Sequence, residues 1–336
     1  MKKIVAVIPA RSGSKSVVHK NIRVIDGKPM LAHSIEHAKA SKYINRIIVS
    51  TDSEEYAEIA RRFGAETPFI RPEEISRDES LDIEVFEHLL EFLKGEGYEP
   101  DILVQLRPTY PYRNVEDIDR MIEMMMEDEN ADSVRSVMEN EVVPHKMWYM
   151  GDDGAMKPLL NDIEEAYNMP RQKLPKTYYQ NGNIDVLKPT NITKYHSMTG
   201  NNIKGYVMKG ILDIDTEQDY KRVNDYMKIM SGNKIFVFDI DGVIATLREG
   251  LDYDQAGPND KMIRIVNKLY DLGNRIVLFT ARGYVTKIDW RAVTEKQMNA
   301  WGVKYHELHM GKPNADYYVD DKFLDMEFLY REFGDE

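Results

Sequence analysis

The chain alternates short apolar stretches with segments of helical periodicity, and this alternation constrains its fold more than any other feature. Strands are predicted at residues 3–8, 46–50, 101–106 and 133–137, and helices near 29–41, 53–63, 81–95 and 115–127. Such a β/α alternation predicts a mostly parallel sheet covered by helices. In the last of these helices, the methionine-rich residues 121–126 are expected to form the buried face.

The pattern is interrupted at residues 231–233 and then restarts. A helix predicted at about 217–230 precedes Ser231-Gly232-Asn233, and a new apolar strand follows at 234–238. A length of 336 residues also exceeds what one hydrophobic core usually organises. We therefore predict two α/β domains, residues 1–228 and 234–336, joined by a linker at 229–233. Each is expected to hold a mostly parallel sheet flanked by helices.

Composition excludes several classes of function. A net charge of −12 argues against a nucleic-acid-binding surface, and the absence of cysteine excludes disulfides, thiolate catalysis and cysteine-ligated zinc. No run of 18 apolar residues is present, so no membrane span is predicted. The first residues form a strand and become polar too soon for a signal peptide. A cytoplasmic enzyme acting on small molecules is the expectation.

The first strand leads directly into a basic, glycine-containing loop, residues 8–21. Ligands of open α/β sheets bind at the carboxyl ends of the strands, where this loop begins. Its arginine and lysines can neutralise a polyanion, and its glycine and serines allow backbone N–H groups to approach one. The loop is neither a Walker loop nor a dinucleotide fingerprint, because it lacks both spacings. A solvated basic turn is the alternative.

Several later segments accompany this loop in a fixed order. The loop contributes Arg11, Gly13, Ser14, Lys15, Lys20 and Asn21. Then follow residues 48–52, Arg71-Pro72 with Asp78, residues 108–113, Arg171-Gln172 with Leu174-Pro175, Asn181-Gly182, and residues 213–216. Together, up to about residue 225, they resemble the acylneuraminate cytidylyltransferases, which activate acidic sugars as CMP derivatives.

This resemblance implies transfer of CMP from CTP to the anomeric hydroxyl of an acidic 2-keto sugar, with release of pyrophosphate. It implies nucleotide contacts from Arg11, Gly13, Ser14, Lys15, Lys20, Asn21, Asp52 and Thr109, with Arg11 and Lys20 also catalytic. Asp213 and Asp215 would hold a catalytic Mg²⁺. The residues implied on the acceptor side are Arg107, Lys146, Arg171, Gln172 and Asn181.

The chain departs from the family at the acceptor end. The family usually has Gln-Pro-Thr-Ser-Pro, whereas this chain has Arg107 directly before Pro108, and its nearest glutamine, Gln105, lies two residues upstream. The family's Asn-Gly-Ala-Ile-Tyr-Ile is replaced by residues 181–186, which introduce Asn183 and Asp185. The departures therefore concern the acceptor, whereas the residues expected at the nucleotide are retained.

The C-terminal third carries a second set of ordered motifs. Asp239 and Asp241 stand two apart at a strand end, so both side chains can face one metal and one phosphate. A strand at 275–279 leads to Thr280-Ala281-Arg282, and Gly311-Lys312-Pro313 and residues 317–321 follow. Across residues 234–325 this series resembles the haloacid dehalogenase superfamily of phosphatases.

By that resemblance, Asp239 is a nucleophile and Asp241 a general acid/base. Thr280 and Lys312 would hold the phosphoryl oxygens, while Asp320 and Asp321 would complete a Mg²⁺ site with Asp239 and Asp241. One Mg²⁺ is thus expected in each domain. The stretches between the motifs are filled by elements that the core itself needs, so we expect no large cap over this site.

Three hypotheses remain open from the sequence. The first is a bifunctional enzyme that makes a CMP-activated acidic sugar and removes phosphate from a precursor of the same pathway. The second keeps CTP but uses a phosphate or phosphonate acceptor, which Arg107 and Arg171 would bind. In the third, the C-terminal domain is an assembly module without turnover. The family resemblance also implies a homo-oligomer, a dimer or a tetramer, without nucleic acid or membrane.

Overall fold

A computed structural model describes residues 2–210, 212–246, 253–315, 317–318 and 320–334. The backbone divides into two compact units, Met1–Tyr220 and Lys221–Glu336. The division falls inside a helix, Glu217–Met230, and not at the linker expected at 229–233. The reason is packing, because Ile229, near the helix end, is buried in the hydrophobic core of the second unit.

The first unit is built on a six-stranded sheet. Its strands are β1 (Ile4–Pro9), β4 (Arg46–Ser50), β5 (Ile102–Leu106), β6 (Ser133–Glu139), β9 (Tyr178–Leu187) and β10 (Ile203–Val207). The order across the sheet is β10-β6-β9-β5-β1-β4. Strand β9 runs antiparallel to β5 and β6, and the other neighbouring pairs are parallel. The predicted mostly parallel α/β sheet is confirmed.

Two small hairpins and six helices complete this part of the chain. The hairpins pair β2 (Val24–Ile25) with β3 (Lys28–Pro29), and β7 (Trp148–Met150) with β8 (Met156–Pro158). The helices are α1 (Met30–Ala40), α2 (Glu54–Arg62), α3 (Asp82–Gly95), α4 (Val115–Glu127), α5 (Pro189–Tyr195) and α6 (Glu217–Met230). Each helix predicted from periodicity is present. None of the described helices is both long and apolar enough to cross a bilayer.

The alternation of β1 explains why helices cover both faces of this sheet. Successive side chains of a strand point to opposite faces. Accordingly, Ile4, Ala6 and Ile8 pack into one core with α1 and α4, whereas Val5 and Val7 pack into another with α3 and α5. The methionine-rich part of α4 contributes a buried face to the core, as predicted. The buried side chains of this face are Met121, Ile122 and Met125.

The second unit contains a three-stranded parallel sheet of order β11-β12-β13. Its strands are β11 (Ile235–Phe238), β12 (Arg275–Thr280) and β13 (Glu307–Met310), and its helices α7 (Asp260–Asp271), α8 (Arg291–Ala300) and α9 (Met326–Phe333). One core joins β11 and β12 to all three helices. The strands predicted at 234–238 and 275–279 are confirmed.

Asp119 of α4 supplies a buried link between helices of the first unit. Its carboxylate accepts a 2.6 Å hydrogen bond from Ser41 Oγ and a 3.1 Å bond from the Lys42 backbone, just past the end of α1. Asp119→Ala would leave these donors unpaired, so we expect it to lower the free energy of unfolding of the first unit by ~2 kcal/mol. Urea titration followed by circular dichroism measures this. Glu116→Gln, at an exposed position of the same helix, should change it by less than ~0.5 kcal/mol.

Candidate active sites

The loop after β1 is anchored at the carboxyl edge of the first sheet. Both oxygens of Asp52, which follows β4, accept hydrogen bonds of 2.8 Å from the backbone N and the Oγ of Ser12. Asn21 Nδ2 donates to the Arg11 carbonyl at 2.9 Å, and Val17 is fully buried. Asp52, expected to contact the nucleotide, thus uses its carboxylate to hold the loop.

The cations of this loop differ in how they are held. Arg11 and Lys15 converge on the exposed Asp78, Arg11 Nη1 at 2.8 Å from Oδ1 and Lys15 Nζ on the other oxygen. The hydrogen bond from Lys15 lowers the pKa of Asp78. Lys20 is instead nearly buried and donates to the carbonyl of Ile214 at 2.9 Å and to Asp215 at 3.1 Å. Arg11 Nη1 also donates to the Arg77 carbonyl at 2.8 Å. The first two cations thus pair with an exposed carboxylate, whereas Lys20 is nearly buried between two acceptors.

Gly13 and Ser14 lie at the tip of the loop. A side chain at Gly13 would meet no atom within 4 Å, so the space beside this backbone is open. The Ser14 backbone N donates to the Ser12 carbonyl at 3.0 Å, which keeps the turn tight. The tip therefore has room for a ligand, and the nucleotide contacts expected of Gly13 and Ser14 stay a prediction.

Asp213 and Asp215 lie beside the loop that follows β5. The hydroxyl of Tyr110 donates to Asp213 Oδ2 at 2.8 Å, and the Ile214 backbone N donates to the Thr109 carbonyl at 3.1 Å. Burial raises the pKa of Asp213, and the charge of Asp215 adds to the effect. Two mutually repelling carboxylates next to hydroxyl groups are oxygen ligands of the kind that a hard divalent cation takes. Among the described residues no third acidic or histidine side chain completes a cluster with them, so a Mg²⁺ site here stays a prediction.

Arg113 is a positioning residue to which the sequence analysis assigned no role. It is buried and donates to the Tyr110 carbonyl at 2.7 Å, to Ser34 Oγ at 2.8 Å and to the carbonyls of Arg107 and Asn183. Burial lowers the pKa of its guanidinium to about 9. The signal in the sequence was its place at the end of the 108–113 motif.

Arg107, expected on the acceptor side, belongs to a network of charges. Its guanidinium contacts Asp82 at 2.5 Å and Asp185 at 3.4 Å, and donates to the Gly182 carbonyl at 2.8 Å. Asp185 is buried, which raises its pKa, while the charges of Arg135 and Arg107 oppose this rise. The charges that this chain adds at the acceptor end therefore neutralise one another.

The other expected acceptor residues are more scattered. Lys146, Arg171 and Gln172 are exposed, in short turns between β6 and β9, and Lys146 Nζ donates to the Tyr167 carbonyl at 3.0 Å. Asn181 lies on β9, where its Oδ1 accepts a 2.6 Å bond from Ser136. No hydrogen bond between described residues brings Lys146, Arg171 or Gln172 to Asn181.

Arg71 is a second residue without an assigned role in the sequence analysis. It is buried, and its backbone N donates to the Thr51 carbonyl at 2.8 Å. Its Nε and Nη2 find no hydrogen-bond partner among the described residues. Burial lowers its pKa and the charge of Asp52 opposes this. A buried guanidinium with two unpaired N–H groups is a donor set that a ligand could satisfy.

In the second unit, Asp239 and Lys312, both expected at a phosphoryl group, contact each other. Lys312 Nζ donates to Asp239 Oδ2, and the Lys312 backbone N donates to the carbonyl of the buried Thr280 at 3.0 Å. Gly311, with a φ of 91°, makes the turn that returns Lys312 to this edge. A carboxylate beside a lysine and a threonine is an arrangement that could bind a phosphoryl group.

Among the described residues of the second unit, those expected to bind a metal do not form one cluster. Asp320 and Asp321 are exposed, and the Asp320 carboxylate accepts a 2.8 Å hydrogen bond from the backbone N of Lys322. Val319, part of the same motif, lies outside the described residues. Among those that are described, no three acidic or histidine side chains cluster in a way that could hold a metal ion. Asp241 is paired with Arg282 instead, at 2.7 Å.

Comparison with known proteins finds relatives of the first unit. The family model for cytidylyltransferases matches residues 5–199. Over 233 residues the chain is 32% identical to a post-translational flagellin modification protein B of Campylobacter coli, covering 68% of this chain and 96% of that protein. It is 33% identical over 234 residues to a CMP-N,N'-diacetyllegionaminic acid synthase of Legionella pneumophila, covering 68% and 97%.

An N-acylneuraminate cytidylyltransferase of Escherichia coli is 32% identical over 221 residues, or 65% of this chain and 51% of that protein. Among solved structures, a CMP:2-keto-3-deoxy-manno-octonic acid synthetase complexed with CTP superposes with a TM-score of 0.52 at 19% identity, covering 68% of this chain and 99% of that one. This last likeness concerns the fold alone. With its family match over residues 5–199 and relatives aligned over nearly their whole length, the chain belongs to the cytidylyltransferase family.

Proposed function

We propose that the first unit transfers CMP from CTP to an acidic sugar of the nonulosonic or sialic acid type and releases pyrophosphate. Family membership and the names of the relatives support the nucleotide and the acceptor class. The observation that carries the proposal is Lys20, which joins the loop after β1 to the Asp213–Asp215 segment. A triphosphate bound by the loop would thus lie beside the two carboxylates.

The cations at the loop supply the charge that the triphosphate needs. Arg11 and Lys15 would leave the exposed Asp78 for phosphate oxygens, while Lys20 would stay in place. The acceptor hydroxyl then attacks the α-phosphorus. The new O–P bond forms as the bond to pyrophosphate breaks, and the hydroxyl proton is released. Mg²⁺ held by Asp213 and Asp215 would offset the negative charge of the phosphates.

For the acceptor, the geometry favours an acidic sugar over a phosphate or phosphonate. Arg107 already balances Asp82 and Asp185, so it offers little net charge to a dianion. Arg171 and Lys146 are exposed and have room to meet a single carboxylate. A planar guanidinium such as that of Arg171 binds a carboxylate in a two-point fashion.

We propose that the second unit is a phosphatase for a phosphorylated precursor of the same pathway. Asp239 would attack the phosphorus, forming an aspartyl-phosphate while the ester oxygen leaves with a proton from Asp241. A water molecule would then attack the phosphorus and give a proton to Asp241. The bond between the phosphorus and Asp239 would break, which releases phosphate and restores the Asp239 carboxylate. Lys312 and Thr280 would bind the phosphoryl oxygens. Mg²⁺ is proposed here from the resemblance, and no step is assigned to it.

We further propose that the chain forms a homo-oligomer through the β7–β8 hairpin. This hairpin exposes several large apolar side chains, whose members are Trp148, Tyr149, Met150 and Met156. An exposed apolar group of this size typically marks a protein interface. A second copy of the chain is the partner that the family resemblance implies.

Substituting Asp215 tests the transferase. The side chain is exposed, so Asp215→Asn should fold normally, yet pyrophosphate release from CTP with a nonulosonic acid should fall by roughly two to three orders of magnitude. Glu217→Gln, which alters a surface ion pair two residues away, is the matched control. Comparable release with ATP or UTP would contradict the assignment to CTP, and faster release with an alkyl phosphate acceptor would contradict the acidic sugar.

Substituting Asp239 tests the phosphatase. The amide of Asp239→Asn cannot form an acyl-phosphate, so phosphate release from a sugar phosphate with Mg²⁺ should be lost while CMP transfer continues. Asp271→Asn, an exposed partner of Lys304, should leave both activities unchanged. If the wild type hydrolyses no sugar phosphate, the second unit is instead an assembly module.

Charge placed on the hairpin tests the interface. The double substitution Tyr149→Lys with Met150→Lys should halve or quarter the mass measured by light scattering after gel filtration, because charged residues are depleted from interface cores. Tyr195→Lys, an exposed tyrosine at the end of α5, should not change the mass. A monomeric wild type, or an unchanged mass in the double variant, would rule out this interface.

A further inference from the structure

We infer that Arg282 is the positioning residue for Asp241, and that it sets the efficiency of proton transfer in the second unit. The inference rests on the proposed phosphatase function. Arg282 follows β12 and has a fully buried side chain, among the largest of the chain. Asp241, at the end of β11, is partly exposed and so remains within reach of a substrate.

The contact between the two side chains is a two-point one. Arg282 Nε lies 2.9 Å from Asp241 Oδ2, and Nη2 lies 2.7 Å from Oδ1. Such a fork fixes both the position and the plane of a carboxylate, which a lysine cannot do. Asp241 Oδ1 accepts a second bond from Arg282 Nε, at 3.2 Å. Among the described residues, Asp241 Oδ2 accepts a hydrogen bond from Arg282 Nε alone. Oδ2 therefore keeps a lone pair for proton transfer.

Arg282 is itself held from its other side. Its Nη1 donates to Gln297 Oε1 at 2.6 Å and to Thr294 Oγ1 at 3.2 Å, both on α8. Its guanidinium lies over the ring of Tyr253, 5.0 Å from the centroid, and Gln297 Nε2 donates to the Tyr253 carbonyl at 2.6 Å. The guanidinium cannot turn without breaking these contacts, so the position of Asp241 is defined by α8 and the 253–255 turn.

The two carboxylates of this edge are paired with different kinds of cation. Asp239 contacts Lys312, a point charge on a flexible stem that can move to a bound phosphoryl group. Asp241 contacts a rigid cation that is enclosed by protein. This difference matches their proposed roles, because a nucleophile must be released from its cation when substrate binds, whereas an acid/base must keep its direction.

Proton donation offers a readout that a structural role would not change. An alkyl ester needs a proton on its leaving oxygen, whereas 4-nitrophenolate leaves without one. In the full chain with Mg²⁺, Arg282→Lys should lower kcat/KM for a hexose 6-phosphate by about 10- to 100-fold, and that for 4-nitrophenyl phosphate by less than about threefold. Gln297→Leu removes one hydrogen-bond acceptor of Arg282. It should lower the ratio of kcat/KM for the hexose 6-phosphate to kcat/KM for 4-nitrophenyl phosphate as well, but by a smaller factor.

The controls separate this inference from its premise. Arg291→Lys changes an exposed arginine of α8 and should leave kcat/KM for both substrates unchanged. Equal losses on the two substrates in Arg282→Lys and Gln297→Leu, or a gain on the hexose phosphate, would overturn the positioning role. A wild type inactive on both substrates would refute the phosphatase proposal itself. If the thermal midpoint shows that Arg282→Lys does not fold, the Gln297→Leu variant tests the positioning role by the same comparison of the two substrates.

Discussion

The carboxyl edge of the first unit depends on one buried cation, Arg113. Its guanidinium binds the carbonyls of Arg107, Tyr110 and Asn183, and so joins the loop after β5 to strand β9. Burial removes the hydration of this charge, and carbonyl dipoles at fixed positions replace it. The Tyr110 hydroxyl that contacts Asp213 is carried by the same loop. The placement of the proposed metal carboxylates therefore follows from a residue that touches neither of them.

Unpaired polar atoms are concentrated around this edge. Both amide atoms of Gln105 are buried without a partner, as are Asn183 Oδ1, Asn181 Nδ2 and two nitrogens of Arg71, counting only partners among the described residues. Each such group costs about 1–3 kcal/mol when nothing satisfies it. A protein that keeps several of them together loses stability at that place, and a ligand with complementary donors and acceptors recovers it. Their concentration here agrees with a binding site at the carboxyl ends of the strands.

Local pattern predicted the elements well where one face of a strand or helix is apolar, as in β1 and α4. Strand β9 was not predicted, because residues 178–183 are mostly polar. Residues 178–180 belong to the strand through pairing with β6, and residues 184–187 pair with β5. The 108–113 motif marked the right loop, yet the sequence could not show that Arg107 turns toward Asp82 and Asp185. That contact joins α3, β5 and β9, and no spacing rule brings three separate elements together. The end of the first unit was misplaced for a similar reason, since tertiary packing divides α6.

Both units place cations beside carboxylates, and the burial of the cation separates two roles that such a pair can have. Where the cation is exposed, as in Lys15 with Asp78, water competes for both charges, and a polyanion can displace the carboxylate at little cost. Where it is buried, as in Arg282 with Asp241, separating the pair would leave a bare charge in protein, so the contact persists and defines geometry. A site that binds and releases an anion needs exposed cations, the first kind, arranged around buried cations, the second kind. In the first unit Arg11 and Lys15 are cations of the first kind and the nearly buried Lys20 is of the second. In the second unit Arg282 is of the second kind.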